Sequence, residues 1–73
     1  MQKLKLKSFY KVLGFQGSEQ LTQRLKELGI QINESLYIQT KIPLGGPYVV
    51  RFKNAHIALR KDELECLKLQ ATE

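Results

Sequence analysis

The side chains able to do chemistry are few. His56 is the only histidine and Cys66 the only cysteine in the chain. A metal site built on His56 would have to recruit Cys66, Asp62, Glu63 or Glu65, and none of these has the spacing of paired Cys or His ligands. A lone histidine at the start of a strand reads as a surface residue. Cys66 leads an inward strand, with Lys68 nearby, and reads as a small core residue rather than a reactive thiol. Ferrous iron held tightly would need a cluster of His or carboxylate ligands. The sequence has no such cluster, so no metal site and no cofactor are expected. Catalysis lacks its parts as well: there is no Ser–His–acid set, no G-x-x-x-x-G-K loop and no G-x-G-x-x-G fingerprint. Gly45-Gly46 lacks the following helix and lysine that a phosphate cradle needs. The chain reads as a non-enzyme.

The elements around these residues follow from periodicity. Ser8–Phe15 is aromatic and β-branched and runs into Gly14 and Gly17, which predicts a strand and a turn. From Ser18 the period changes: Leu21, Leu25 and Leu28 fall at i, i+4 and i+7 among polar residues, which predicts one amphipathic helix from Glu19 to Leu28. Ser18 is its N-cap, Gly29 its left-handed C′ residue, and Ile30 closes the cap by apolar contact. Asn33 marks a turn with positive φ. Two strands follow, 36–42 and 48–53, with Leu36, Ile38, Thr40 and Ile42 inward on the first and Tyr48, Val50 and Phe52 inward on the second. Asn54-Ala55 turns into a strand at His56–Leu59, residues 60–65 form a helical turn, and Cys66–Leu69 is the last strand, with Leu67 and Leu69 inward. This is a mostly β fold: a small antiparallel barrel of about five strands, with one helix after the first strand and a helical turn before the last. Closure protects the strand edges. Residues 1–7 alternate Lys and Leu and are expected to form a partly ordered strand.

Seventy-three residues suit one compact domain, 1–73. One unpaired thiol argues for a reducing compartment and hence the cytoplasm. No apolar run approaches the ~20 residues that cross a bilayer, so no membrane insertion is expected. Twelve basic residues against seven acidic ones leave a net +5. Such a charge favours acidic surfaces, and it also serves solubility. Arg24, Lys26, Lys41, Arg51, Lys53, Arg60 and Lys61 could form a basic face, though each reads singly as a solvated residue.

The most informative stretch is Ile42-Pro43-Leu44-Gly45-Gly46-Pro47-Tyr48. Both prolines fix φ and cannot donate to a sheet ladder, so both long strands must stop there. Gly45-Gly46 is expected to reverse the backbone with positive φ. Leu44 is then displayed at a stiff tip, a low-entropy contact surface of the kind docking favours. By composition alone the segment also fits an ordinary connecting loop.

Arg24-Leu25 precedes Leu28-Gly29-Ile30; then comes Pro43-Leu44-Gly45-Gly46-Pro47; then Leu59-Arg60-Lys61 runs into Glu63-Leu64 and Leu67-Lys68-Leu69. In this order, over residues 9 to 69, the sequence resembles the small ferrous-iron-transport protein A family. The resemblance implies a bacterial, cytoplasmic SH3-like barrel that assists a large membrane ferrous-iron permease with a GTPase domain. It also implies kinship with the carboxy-terminal barrel of iron-dependent repressors, and a family-level link to transition metals. The partner contacts it suggests are Pro43, Leu44, Gly45, Gly46, Pro47 and Tyr48, with Arg24 and Arg60. The sequence departs from the family where Gly46 replaces a usual aspartate, Asn33 a glycine and Leu64 an alanine, the last suggesting a larger pocket under the helical turn. Self-association is compatible with this reading.

Two other functions compete. A basic barrel with Tyr10, Tyr37, Tyr48 and Phe52 on strands could bind single-stranded nucleic acid. However, Tyr48 and Phe52 share the core-facing side, so no nucleic acid is expected. A metal-responsive regulatory module like the repressor barrel is the other alternative.

Overall fold

The computed structural model describes residues 4–72. Five antiparallel strands and two helices follow in the order β1 (Ser8–Phe15), α1 (Glu19–Glu27), β2 (Ser35–Lys41), β3 (Tyr48–Phe52), β4 (Ala55–Leu59), α2 (Lys61–Leu64) and β5 (Leu67–Ala71). The strands lie side by side as β4-β3-β2-β1-β5. β1 shares itself between two neighbours: Ser8 to Lys11 pair with β2, and Tyr10 to Phe15 pair with β5. A register shift between Val12 and Gly14 lets β1 bend from one partner to the other. The strand order ends at β4 and β5, and α2 is the link between those two ends.

The core gathers one side of every strand. Tyr10 and Val12 come from β1, Leu36 and Ile38 from β2, Val50 and Phe52 from β3, Leu59 from β4 and Leu67 from β5. Leu25, Ile30, Leu64 and Cys66 close over them. A second shift, between Ile38 and Thr40 where β2 meets β3, breaks the expected alternation. Thr40 and Ile42, read as inward, are both exposed, because the bulge turns the end of β2 away from the core. Leu69 is only half-buried.

Helix α1 forms as its caps dictate. The Ser18 side chain accepts from the Leu21 N–H at 3.3 Å. At the other end Gly29 has φ 98°, its N–H donates to Lys26 O, and the Ile30 N–H reaches back to Leu25 O. These two bonds make a Schellman motif, and Ile30 is buried beneath it. The apolar stripe is narrower than its spacing suggested: Leu25 is fully buried, Leu21 packs at the margin, and Leu28 is 38% exposed at the C-cap. Asn33 has φ 75°, which makes it an acceptable substitute for glycine in the turn before β2. The β3–β4 turn falls one residue earlier than expected, at Lys53-Asn54, and Lys53 takes the positive φ.

Of the expected amino-terminal strand, residues 1–3 lie outside the described residues, and 4–7 are irregular rather than β. Leu4 packs on the core, and the Lys5 N–H donates to the Tyr10 hydroxyl at 2.7 Å. That bond satisfies the polar end of a buried tyrosine.

Candidate partner-docking site

The β2–β3 connection is a closed tip. The Ile42 N–H donates to Pro47 O at 2.9 Å, tying the two ends of the loop together. The reversal is made by Leu44 (φ 62°) and Gly45 (φ 78°), not by the glycine pair as the sequence suggested. Gly46 is needed for a different reason. A Cβ there would lie 2.8 Å from Ile42 Cβ and Cγ2 and 2.9 Å from the Ile42 carbonyl oxygen. The loop folds back on its own first residue too closely for any side chain, so the aspartate usual in the resembled family does not fit this conformation. Leu44 stands fully exposed at the apex, with a backbone conformation that leucine rarely adopts.

The loop does not stand alone. Gly45 and Gly46 share a cleft of about 490 Å³ with Lys41 at the end of β2 and with Arg60, Lys61, Asp62 and Glu65 around α2. Arg60 and the loop, 14 residues apart in sequence, are thereby brought together. Tyr48 is half-buried at the start of β3, with Lys41 Nζ 5.9 Å from its ring centroid. Lys41, Lys61, Asp62 and Glu65 were not among the expected contact residues, because only the folding of α2 against the loop reveals them. The cleft has no aromatic lining, so it lacks what grips polyproline in SH3-type recognition.

Arg24 does not line this cleft. It lies along α1, beside Glu19, Gln20, Leu21, Gln23 and Glu27. Its Nε donates to Glu63 Oε2 at 2.8 Å, while the other carboxylate oxygen accepts from the Arg60 N–H, also at 2.8 Å. Glu63 is only 7% exposed and is the buried polar residue among the described ones. Arg24 therefore fastens α1 to the first turn of α2, whose Glu63 also accepts from the Arg60 N–H. Leu64 is itself buried in the core, so the residue fills the space under the helical turn rather than enlarging it.

His56 is exposed on β4. Cys66 is buried, and its thiol donates to Asp62 O at 3.4 Å. Among the described residues no three His, Cys, Asp or Glu side chains are grouped to hold a metal ion. No helix among them is long and apolar enough to cross a membrane.

Against known proteins, a family model described as the FeoA domain matches residues 1–71. A FeoA-like protein from Clostridium acetobutylicum superposes with a TM-score of 0.87 at 26% identity, over 94% of this chain and 80% of its own. FeoA from Stenotrophomonas maltophilia superposes with a TM-score of 0.78, also at 26% identity, over 93% of this chain and 85% of its own. That protein is described as a prokaryotic SH3 domain protein complexed with zinc, and is suggested as a bacterial ferrous iron transport activating factor. The manganese regulator SloR shares the fold alone, at 12% identity and a TM-score of 0.81, over 94% of this chain and 32% of its own. No curated protein matches the sequence. The SH3-like architecture and the family match over nearly the whole sequence agree, and the chain belongs to the FeoA domain family.

Proposed function

We propose that the chain is a non-enzymatic cytoplasmic accessory protein of ferrous iron uptake, acting as a single domain. It binds the cytoplasmic part of a membrane ferrous-iron permease that carries a GTPase domain. The contact is made by the tip Pro43, Leu44, Gly45, Gly46, Pro47 and Tyr48, continued into the cleft by Arg60, with Arg24 holding α2 in place through Glu63. The observation that carries this reading is Leu44. A large apolar side chain, fully exposed and held at φ 62° by a loop closed on itself, contributes nothing to the core. Strain of this kind costs on the order of 1 kcal/mol and persists where the side chain has a use outside the domain. A partner gains because the tip is already ordered before contact. The mixed charges of the cleft, Lys41, Arg60 and Lys61 against Asp62 and Glu65, would then set orientation through rim contacts.

The test is calorimetric titration of the permease's cytoplasmic domain with this protein and with Leu44→Asp. Burying the apex in an apolar pocket predicts a loss of affinity of at least tenfold for the variant, with unfolding unchanged. Equal affinities for the two proteins would show that the tip is not the contact.

A further inference from the structure

The charge of this molecule is segregated by element. None of the residues in the five strands is Asp or Glu. The acidic residues sit on the helices and connections: Glu19 and Glu27 on α1, Glu34 before β2, Asp62, Glu63 and Glu65 around α2, and Glu73 at the end of the chain. The outward side of β1, β2 and β3 is instead built from cations and large apolar groups. Phe9 pairs across to Tyr37, and Tyr37 to Arg51, in one row. Their rings and guanidinium are in contact: the Phe9 and Tyr37 centroids are 4.7 Å apart, and Arg51 Cζ is 4.9 Å from the Tyr37 ring. Lys11 and Leu13 follow Phe9 along β1, and past the shift between Val12 and Gly14 Lys68 pairs with Gly14, its Cδ 4.0 Å from where a Gly14 Cβ would be. Phe9 and Leu13 are 48% and 49% exposed, and Arg51 has no carboxylate partner among the described residues.

We propose that this face is a peripheral docking surface for an anionic lipid leaflet. Lysines and arginines attract acidic head groups, while Phe9 and Leu13 enter the boundary between head groups and acyl chains. Single-stranded nucleic acid suits the face less well. Binding by stacking needs successive free rings, but Tyr37 is already contacted by Phe9 and by Arg51, which leaves one ring. Leu13 has no role in stacking and a direct one in a bilayer interface. The inference does not rest on the loop and cleft described above, which use other residues.

The experiment is co-sedimentation of the full chain with vesicles of phosphatidylcholine containing 30–40% phosphatidylglycerol, and with phosphatidylcholine alone. The expected result is binding to the anionic vesicles at about 50 mM salt, loss of most of it at about 500 mM salt, and none to neutral vesicles. Each of Lys11→Gln, Arg51→Gln and Lys68→Gln should weaken binding roughly fivefold. Phe9→Ser should weaken it without changing the salt dependence, with circular dichroism confirming the fold. Leu44→Asp should bind vesicles as the unaltered chain does, which separates this surface from the proposed permease contact. No sedimentation with anionic vesicles would overturn the proposal. So would equal binding by the Lys11, Arg51 and Lys68 variants, or tighter binding of a thymidine oligonucleotide that displaces the protein from vesicles.

Discussion

A methyl group at Gly46 would sit 2.8 Å from two Ile42 carbons, whereas one at Gly45 would meet nothing within 4 Å. Substitution of the two glycines should therefore fail differently. Gly45→Ala strains a backbone at φ 78° and should cost about 1 kcal/mol. Gly46→Ala forces the chain away from its own carbonyl and should cost about 1–3 kcal/mol, as overpacking does. Urea unfolding midpoints measure both, and a smaller loss at Gly46 than at Gly45 would refute the steric account. Leu44 gives the opposite prediction. Asparagine tolerates the left-handed region better than leucine, so Leu44→Asn should leave stability unchanged or raise it by a few tenths of a kcal/mol. The same change should weaken the proposed binding to the permease. Stability and binding moving apart at one residue would separate a displayed side chain from a structural one.

At the scale of elements, the contact between α1 and α2 depends on one carboxylate. Both Glu63 oxygens are occupied, one by Arg24 on α1 and one by the amide that opens α2. Arg24→Ala leaves a buried acceptor short of one donor, a loss of about 1–2 kcal/mol, kept modest because the arginine side chain is 62% exposed and water can partly replace it. Glu63→Ala should cost at least as much, and a double-mutant cycle by urea unfolding should show a coupling of about 1 kcal/mol. Additive losses would mean the contact is incidental. Both helices and all five strands are legible in the sequence, because caps and turns there are written in local chemistry: Ser18, Gly29 and Asn33 act where their residue types say they should. The bulge in β2 is not legible. Nothing in Leu36-Tyr37-Ile38-Gln39-Thr40 interrupts the alternation, and the shift shows only in the pairing of β2 with β3. The tip itself is legible from its prolines and glycines, but the cleft is not, since Lys41, Gly45 and Arg60 meet only once the barrel has folded. The Arg24–Glu63 pair spans 39 residues and has no local signal either.

At the scale of the whole molecule, the fold is small enough that one buried side chain is a large share of its stability. A chain under about 70–80 residues draws only about 3–5 kcal/mol from a single core, and no disulfide adds to it, since Cys66 is free and buried. That thiol offers a way to measure the balance. Cys66 lies at a junction of elements: it donates to Asp62 O, its carbonyl accepts from the Gln16 N–H, and its sulfur is 3.3 Å from where a Gly17 Cβ would be. Buried there, it meets a thiol reagent only when the elements around it open, so its labelling rate reports that opening, local or global. Leu25, on α1, is fully buried in the same core. Leu25→Ala should cost about 2–4 kcal/mol, which corresponds to roughly thirty- to several-hundredfold faster labelling of Cys66 if opening is global. The comparison with a chromogenic disulfide reagent is made under native conditions, at concentrations where labelling is slower than reclosing. Acceleration of that size would mean α1 and the barrel form one cooperative unit. Unchanged labelling alongside a lower urea midpoint would mean that Cys66 is reached by local fraying of α2 and β5, and that the barrel and its inserted helix unfold separately.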